Sequence, residues 1–143
     1  MKSQVITELK RLANEHAGLL QPELVVVSAR PKSSPLHSSF NWNDGKAAHL
    51  YRIWQARQLI RVSVEVLIGT EEKMDVFVSL SSDRERDGGG YRITTSVLSD
   101  EEMRDEMLAD ALADLECFRE KYRRLKELAG IFLALKKIKS KRK

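Results

Sequence analysis

The residues with chemistry to offer gather between Ser34 and Arg61, in the stretch SPLHSSFNWNDGKAAHLYRIWQARQLIR. It holds both tryptophans, Trp42 and Trp54, two of the three histidines, His37 and His49, and the dispersed arginines Arg52, Arg57 and Arg61. Arginines at surface positions point to phosphate contacts. The histidines are widely spaced, and a surface or capping role suits each of them. Two carboxylates further on, Glu65 and Asp75, could face each other across a hairpin, as a metal-assisted phosphoryl-transfer site would need. A solvated strand face would show the same pair. No glycine-rich phosphate loop, His-Glu-x-x-His or Gly-x-Ser-x-Gly occurs, and the triple glycine at Gly88–Gly90 precedes a strand instead of a helix. These residues therefore favour binding over catalysis, with no catalytic residue and no cofactor expected.

The charge along the chain sharpens that reading. Net charge is +4 over 143 residues. From Met1 to Arg61 there are nine Lys/Arg against four Asp/Glu, from Val62 to Leu135 ten against seventeen, and from Lys136 to Lys143 six against none. The acidic middle reads as scaffold, and the two basic ends are what an anionic partner would meet. The candidate nucleic-acid-binding residues are Lys10, Arg11, Arg30, Lys32, Lys46, Arg52 and Arg57, joined by Lys136, Lys137, Lys139, Lys141, Arg142 and Lys143 of the tail. Each lysine that neutralises a phosphate releases counterions, so the tail would add a salt-sensitive term.

The elements that must carry these residues follow from periodicity. Val5, Ile6, Leu9, Leu12 and Ala13 predict a helix over Ser3 to His16, with Gly18 as its stop. Pro22 suits the first turn of a second helix over PELVVVSAR, although Val25-Val26-Val27 leaves a strand open there. Residues 31 to 43 form an irregular loop in which Phe40 and Trp42 need burial, most simply against the core. Asn43 or Asp44 can cap the next helix, which runs to Arg61 with apolar residues around most of its circumference. Neighbours should wrap such a helix on most sides, which argues against a simple DNA-reading helix.

Val62, Val64, Val66 and Ile68, then Met74, Val76, Val78 and Leu80, then Tyr91, Ile93, Thr95 and Val97, predict a three-stranded antiparallel meander. The connection SSDRERDGGG reads as a mobile hairpin tip. Arg84 and Arg86 within it are offset by Asp83, Glu85 and Asp87, which makes it a poor DNA wing. Ser99 and Glu102 form a capping box for a long C-terminal helix, one piece or two broken at Gly130. Along it Leu108, Ala111, Leu115, Phe118, Tyr122, Leu125, Ala129 and Phe132 make a heptad-like seam for internal packing or for a second copy. Its acidic flank carries Asp105, Asp110, Asp114 and Glu116. The fold class is α+β, with a single domain over residues 1–137 and a basic disordered tail over 138–143.

The single cysteine, Cys117, excludes an intramolecular disulfide and a cysteine-based zinc motif, and suggests a reducing, cytoplasmic setting. The start MKSQVITELKRLANEH lacks a signal-peptide core, and no window approaches a membrane span.

The stretch opening on Ser-Pro-Leu-His, with its aromatic pair, short acidic turn, Ala-Ala, Tyr-Arg, Gln-Ala-Arg and Leu-Ile-Arg, resembles a motif of small uncharacterised proteins from tailed phages and prophages. Asn43 stands where that motif has an acidic residue. The resemblance carries no established activity; it implies a phage-type origin, where small basic proteins often handle DNA or regulate host machinery. The expectation is a DNA-binding or DNA-associated regulatory protein. A homodimeric interaction adaptor built on the C-terminal helix is the alternative, and a small nuclease using Glu65 and Asp75 is third.

Overall fold

In the computed structural model, which describes residues 3–45, 47–66 and 69–142, the chain divides into two compact units, Met1–Asp100 and Glu101–Lys143. The first holds α1 (Ser3–Glu15), α2 (Pro22–Ala29), α3 (Ala48–Arg61), β1 (Val64–Val66), β2 (Lys73–Asp75), β3 (Phe77–Val78), α4 (Ser81–Arg84), β4 (Arg92–Ile93) and α5 (Thr94–Ser99). The second is a hairpin of α6 (Glu101–Tyr122) and α7 (Ala129–Lys141).

All five residues expected on the inner face of α1 are buried. The segment after Pro22 is helical because Pro22, Val25, Val26 and Ala29, three and four apart, all enter the core while Val27 stays outside. Tertiary burial of that stripe overrides the β-preference of three consecutive valines. Leu9, Leu20, Leu36, Ala56, Ile60 and Val76 join them in one cluster. The burial that decides the fold is therefore mostly helix on helix.

The three-stranded meander does not form. Two short ladders replace it, β1 with β2 and β3 with β4. They meet at Val76, whose N–H bonds to the Ser63 carbonyl (2.9 Å) and whose carbonyl accepts the Thr94 N–H (2.8 Å). Val62, Val64 and Val66 share a face as expected, but that face is exposed, and Ser63 is the residue that goes inside. The buried Ser63 satisfies its hydroxyl by donating to the Leu59 carbonyl at 2.9 Å, and Glu65, two residues on, pairs with Lys10 of α1. With period two, this phase puts every valine outside. Leu67 and Ile68, part of the expected first strand, lie outside the described residues.

Five further expectations are corrected. The connection before β4 is pinned instead of being a free tip: Gln21 Nε2 donates to the carbonyls of Asp87 (3.0 Å) and Gly89 (3.1 Å), and Leu20 and Tyr91 exchange backbone bonds. Asp44 does not cap α3, because its carboxylate is taken by Arg52, and the helix begins at Ala48 without a side-chain cap. The C-terminal helix breaks at residues 123–128, with Leu125 extended, and Gly130 lies inside α7. Folding back there lets Phe118 reach Phe132 at 6.4 Å and Glu116 reach Lys139 at 3.2 Å, contacts that a straight helix would forgo. The helix entry is also shifted: Asp100 is extended between α5 and α6, so it holds the cap position expected for Ser99. Residues of the tail expected to be disordered are helical through Lys141.

Candidate nucleic-acid interface

The motif stretch folds into a cage around one arginine. Arg52 is 4% exposed. Its Nε donates to the Asn41 carbonyl (2.9 Å), and its Nη2 donates to the Asn43 carbonyl (3.2 Å) and to Asp44 Oδ1 (2.9 Å). Its guanidinium carbon lies 4.9 Å from the centre of the Trp42 ring. Trp42 in turn stacks on His37 at 5.0 Å and 9°, and donates its indole N–H to the His37 carbonyl. His37 Nδ1 lies 2.9 Å from the Ala29 carbonyl, which can only accept, so the Nδ1–H donates this bond. Leu36 and Phe40 anchor the two sides of the loop in the core. A planar fork is what two carbonyls and a carboxylate require, so the Tyr-Arg of the motif is a structural arginine. Arg52 is thus removed from the binding surface assigned to it.

The other expected residues separate in the same way. Lys10 pairs with Glu65 at 2.9 Å. Arg11 is bound by Glu8 and by Glu15, which raises its pKa, while the hydrogen bond from Arg11 draws the Glu8 carboxyl below its ordinary value. Both cations are largely neutralised within the unit. Arg30 is exposed beside the Trp42 ring at 6.0 Å, and Lys32 is exposed. Lys136, Lys137, Lys141 and Arg142 are exposed, and Lys139 is bound to Glu116. Lys46 and Lys143 lie outside the described residues.

Arg57 enters a concave site of a different kind from the one that Lys10 and Arg11 line, where Glu15 and Glu65 stand beside them. It lines a cleft of about 580 Å³ with Arg61, one helical turn on, with Arg84 at the end of α4 and with Arg86 just beyond it. Pro22, Ser79, Gly88–Gly90 and Tyr91 complete the lining. Arg57 and Arg61 have no ion-pair partner among the described residues, and α3 contains no carboxylate. Arg84 is steadied by donating to the Ser79 carbonyl at 2.5 Å.

The alternating charge of this segment misleads because Asp83 is not at the surface. It is fully buried and held bidentately by Arg92, at 2.7 and 2.8 Å, with Arg86 at 3.7 Å. Only Glu85 and Asp87 then oppose the arginines from the surface of the loop. Gly88 and Gly89 take φ of +80° and +65°, which lets the chain turn the wall of the cleft without a side chain. Arg61, Arg84 and Arg86 were not among the sequence candidates. The spacing of Arg57 and Arg61 at i and i+4 was a usable signal for the first.

The expected carboxylate pair does not converge. The register sets Glu65 opposite Met74 and Asp75 opposite Val64, so the two acids point to opposite faces of the ladder. Among the described residues no group of three or more His, Cys, Asp or Glu could hold a metal. No helix among them is long and apolar enough to cross a membrane. Comparison with family models, with curated proteins and with solved structures finds no match to this chain.

Proposed function

We propose that the chain is a nucleic-acid-binding protein, DNA-associated and of the regulatory kind that its phage-type motif suggests, acting by binding and not by catalysis. The observation that carries this reading is the cleft in which Arg57 and Arg61, without carboxylate partners, stand with Arg84 and Arg86. Guanidinium forks at the rim of a concave surface suit phosphate oxygens, which accept two bonds from each. The lysines of α7 add non-specific attraction without fixing a register on the nucleic acid. Work of this kind belongs in the cytoplasm, where the free thiol of Cys117 persists.

A titration of binding to a random-sequence duplex and to a single strand, at salt from about 50 to 200 mM, tests it. Affinity is expected to fall steeply with salt, and Arg57→Ala with Arg61→Ala is expected to lower the logarithmic slope by about 2. Absence of binding at the lowest salt overturns the reading.

One observation favours a second reading, a homodimeric adaptor. On the α6–α7 hairpin only Leu112 and Leu135 are buried, while Leu115, Phe118, Ile131 and Ile138 remain exposed around an apolar groove of about 330 Å³, and Leu108 and Leu133 are exposed elsewhere on the hairpin. A second hairpin would cover them as a four-helix bundle. Sedimentation decides it: a monomer at tens of micromolar removes the dimer.

A further inference from the structure

The outward face of α3 carries more than charge. A helix turns about 100° per residue, so Leu50, Trp54, Arg57 and Arg61 fall within about 60° of one another on one face, with Tyr51 on its edge. The sequence led us to expect this helix to be wrapped by neighbours. Instead Leu50 is 73% exposed and Trp54 52% exposed, and Tyr51 and Trp54 stack with ring centres 5.7 Å apart and planes 16° apart. Large aromatics left in water beside unpaired arginines ask for a partner that offers flat apolar surface and negative charge together.

We propose, resting on the nucleic-acid reading above, that this face is a track for single-stranded nucleic acid, with bases stacked on Trp54 and Tyr51 and the backbone led past Arg57 and Arg61 into the arginine cleft. A single strand exposes base faces that a duplex keeps stacked inside itself. Aromatic platforms with a basic groove are the general solution for binding such strands without sequence preference. The helix rise places Arg61 about 10 Å beyond Trp54, the length of a short run of nucleotides. The charge also selects the occupant: α3 has three arginines and no carboxylate, and one of the three, Arg52, is turned inward to its cage. What α3 turns outward is therefore aromatic and cationic, with no carboxylate of its own to repel phosphate.

The test is tryptophan fluorescence of the full chain during titration with an oligothymidylate and with a duplex of the same length. Trp42 is half-buried on His37, so Trp54→Phe assigns the signal. The expected results are quenching by the single strand that disappears in Trp54→Phe, and a loss of about ten-fold or more in oligothymidylate affinity for Trp54→Ala with duplex affinity nearly unchanged. Trp54 is exposed, and an unchanged melting curve for Trp54→Ala shows that the fold is intact. If both nucleic acids bind but Trp54→Ala affects neither, the track is overturned and the broader reading stands. If Trp54→Ala instead abolishes a self-association seen by sedimentation, the face belongs to a protein contact and the track is again overturned. If neither nucleic acid binds, both readings fall together.

Discussion

Arg92 grips the buried carboxylate of Asp83 with two parallel hydrogen bonds, from Nε at 2.7 Å and from Nη2 at 2.8 Å. The pair ties β4 to the segment that carries Arg84 and Arg86. It also withdraws one negative charge from the cleft. Arg92→Ala would leave the carboxylate without its bidentate partner in a site where its exposure is 0%. A loss of about 3–5 kcal/mol is the usual cost of orphaning a buried charge. Denaturant unfolding checks the size, and Asp83→Asn with Arg92→Gln, which removes both charges, should recover part of the loss. Equal instability of the single and double variants would contradict the pairing.

The cage around Arg52 makes a different prediction from a binding role. Arg52→Lys keeps the charge but cannot reach Asn41, Asn43 and Asp44 from one planar group, so a loss of about 2–3 kcal/mol is expected. Trp42→Ala should destabilise the same loop, and the two changes should be less than additive because they share a contact. The folded fraction of Arg52→Lys should bind nucleic acid as the parent does. A normal melting curve with weakened binding would return Arg52 to the interface.

Legibility in the sequence followed the physics of each element. The stripe Val5, Ile6, Leu9, Leu12, Ala13 could be read because a helix with one buried face has no competing pattern. The valines at 62, 64 and 66 could not be read correctly: alternation shows that they share a face, and only packing decides that Ser63 is buried and that Glu65 meets Lys10. Charge counting failed at Asp83 for a similar reason, since a carboxylate sequestered by an arginine nine residues away looks the same in a string as a solvated one. Trp54 and Leu50 were expected inside because large apolar side chains usually are. Their exposure is a property of the fold and is what brought the outer face of α3 into view.

The tail should act through charge alone. Lys136, Lys137 and Lys141 are exposed on α7 and lack carboxylate partners among the described residues, whereas Lys139 bridges to Glu116. Neutralising the first three to Gln should lower the salt slope of duplex binding by up to about 3 while leaving the helix content unchanged. Lys139→Gln should instead weaken the hairpin. An unchanged slope in the triple variant would remove the tail from the interface.

Acid should loosen the α6–α7 hairpin in a defined direction. Hydrogen bonds from Arg119 and then from Lys139 hold the Glu116 carboxyl below its ordinary value of 4.5. The folded form therefore gives up its proton more readily than the unfolded chain does, and the contribution is complete above the ordinary value. As pH falls through the window beneath 4.5, the unfolded chain takes up the proton first, and the stabilisation disappears once the folded carboxyl is protonated as well. Amide exchange in α7 reports this locally, without interference from the depressed Glu8 in the first unit. Protection of α7 is expected to drop between neutral pH and about pH 3, and Glu116→Gln, already weakened at neutral pH, should show a smaller further drop. High salt should reproduce part of the loss at neutral pH, because the bridging groups are partly exposed and screened. A hairpin whose protection ignores both acid and salt would show that its apolar seam, Phe118 against Phe132, holds it without the ion pairs.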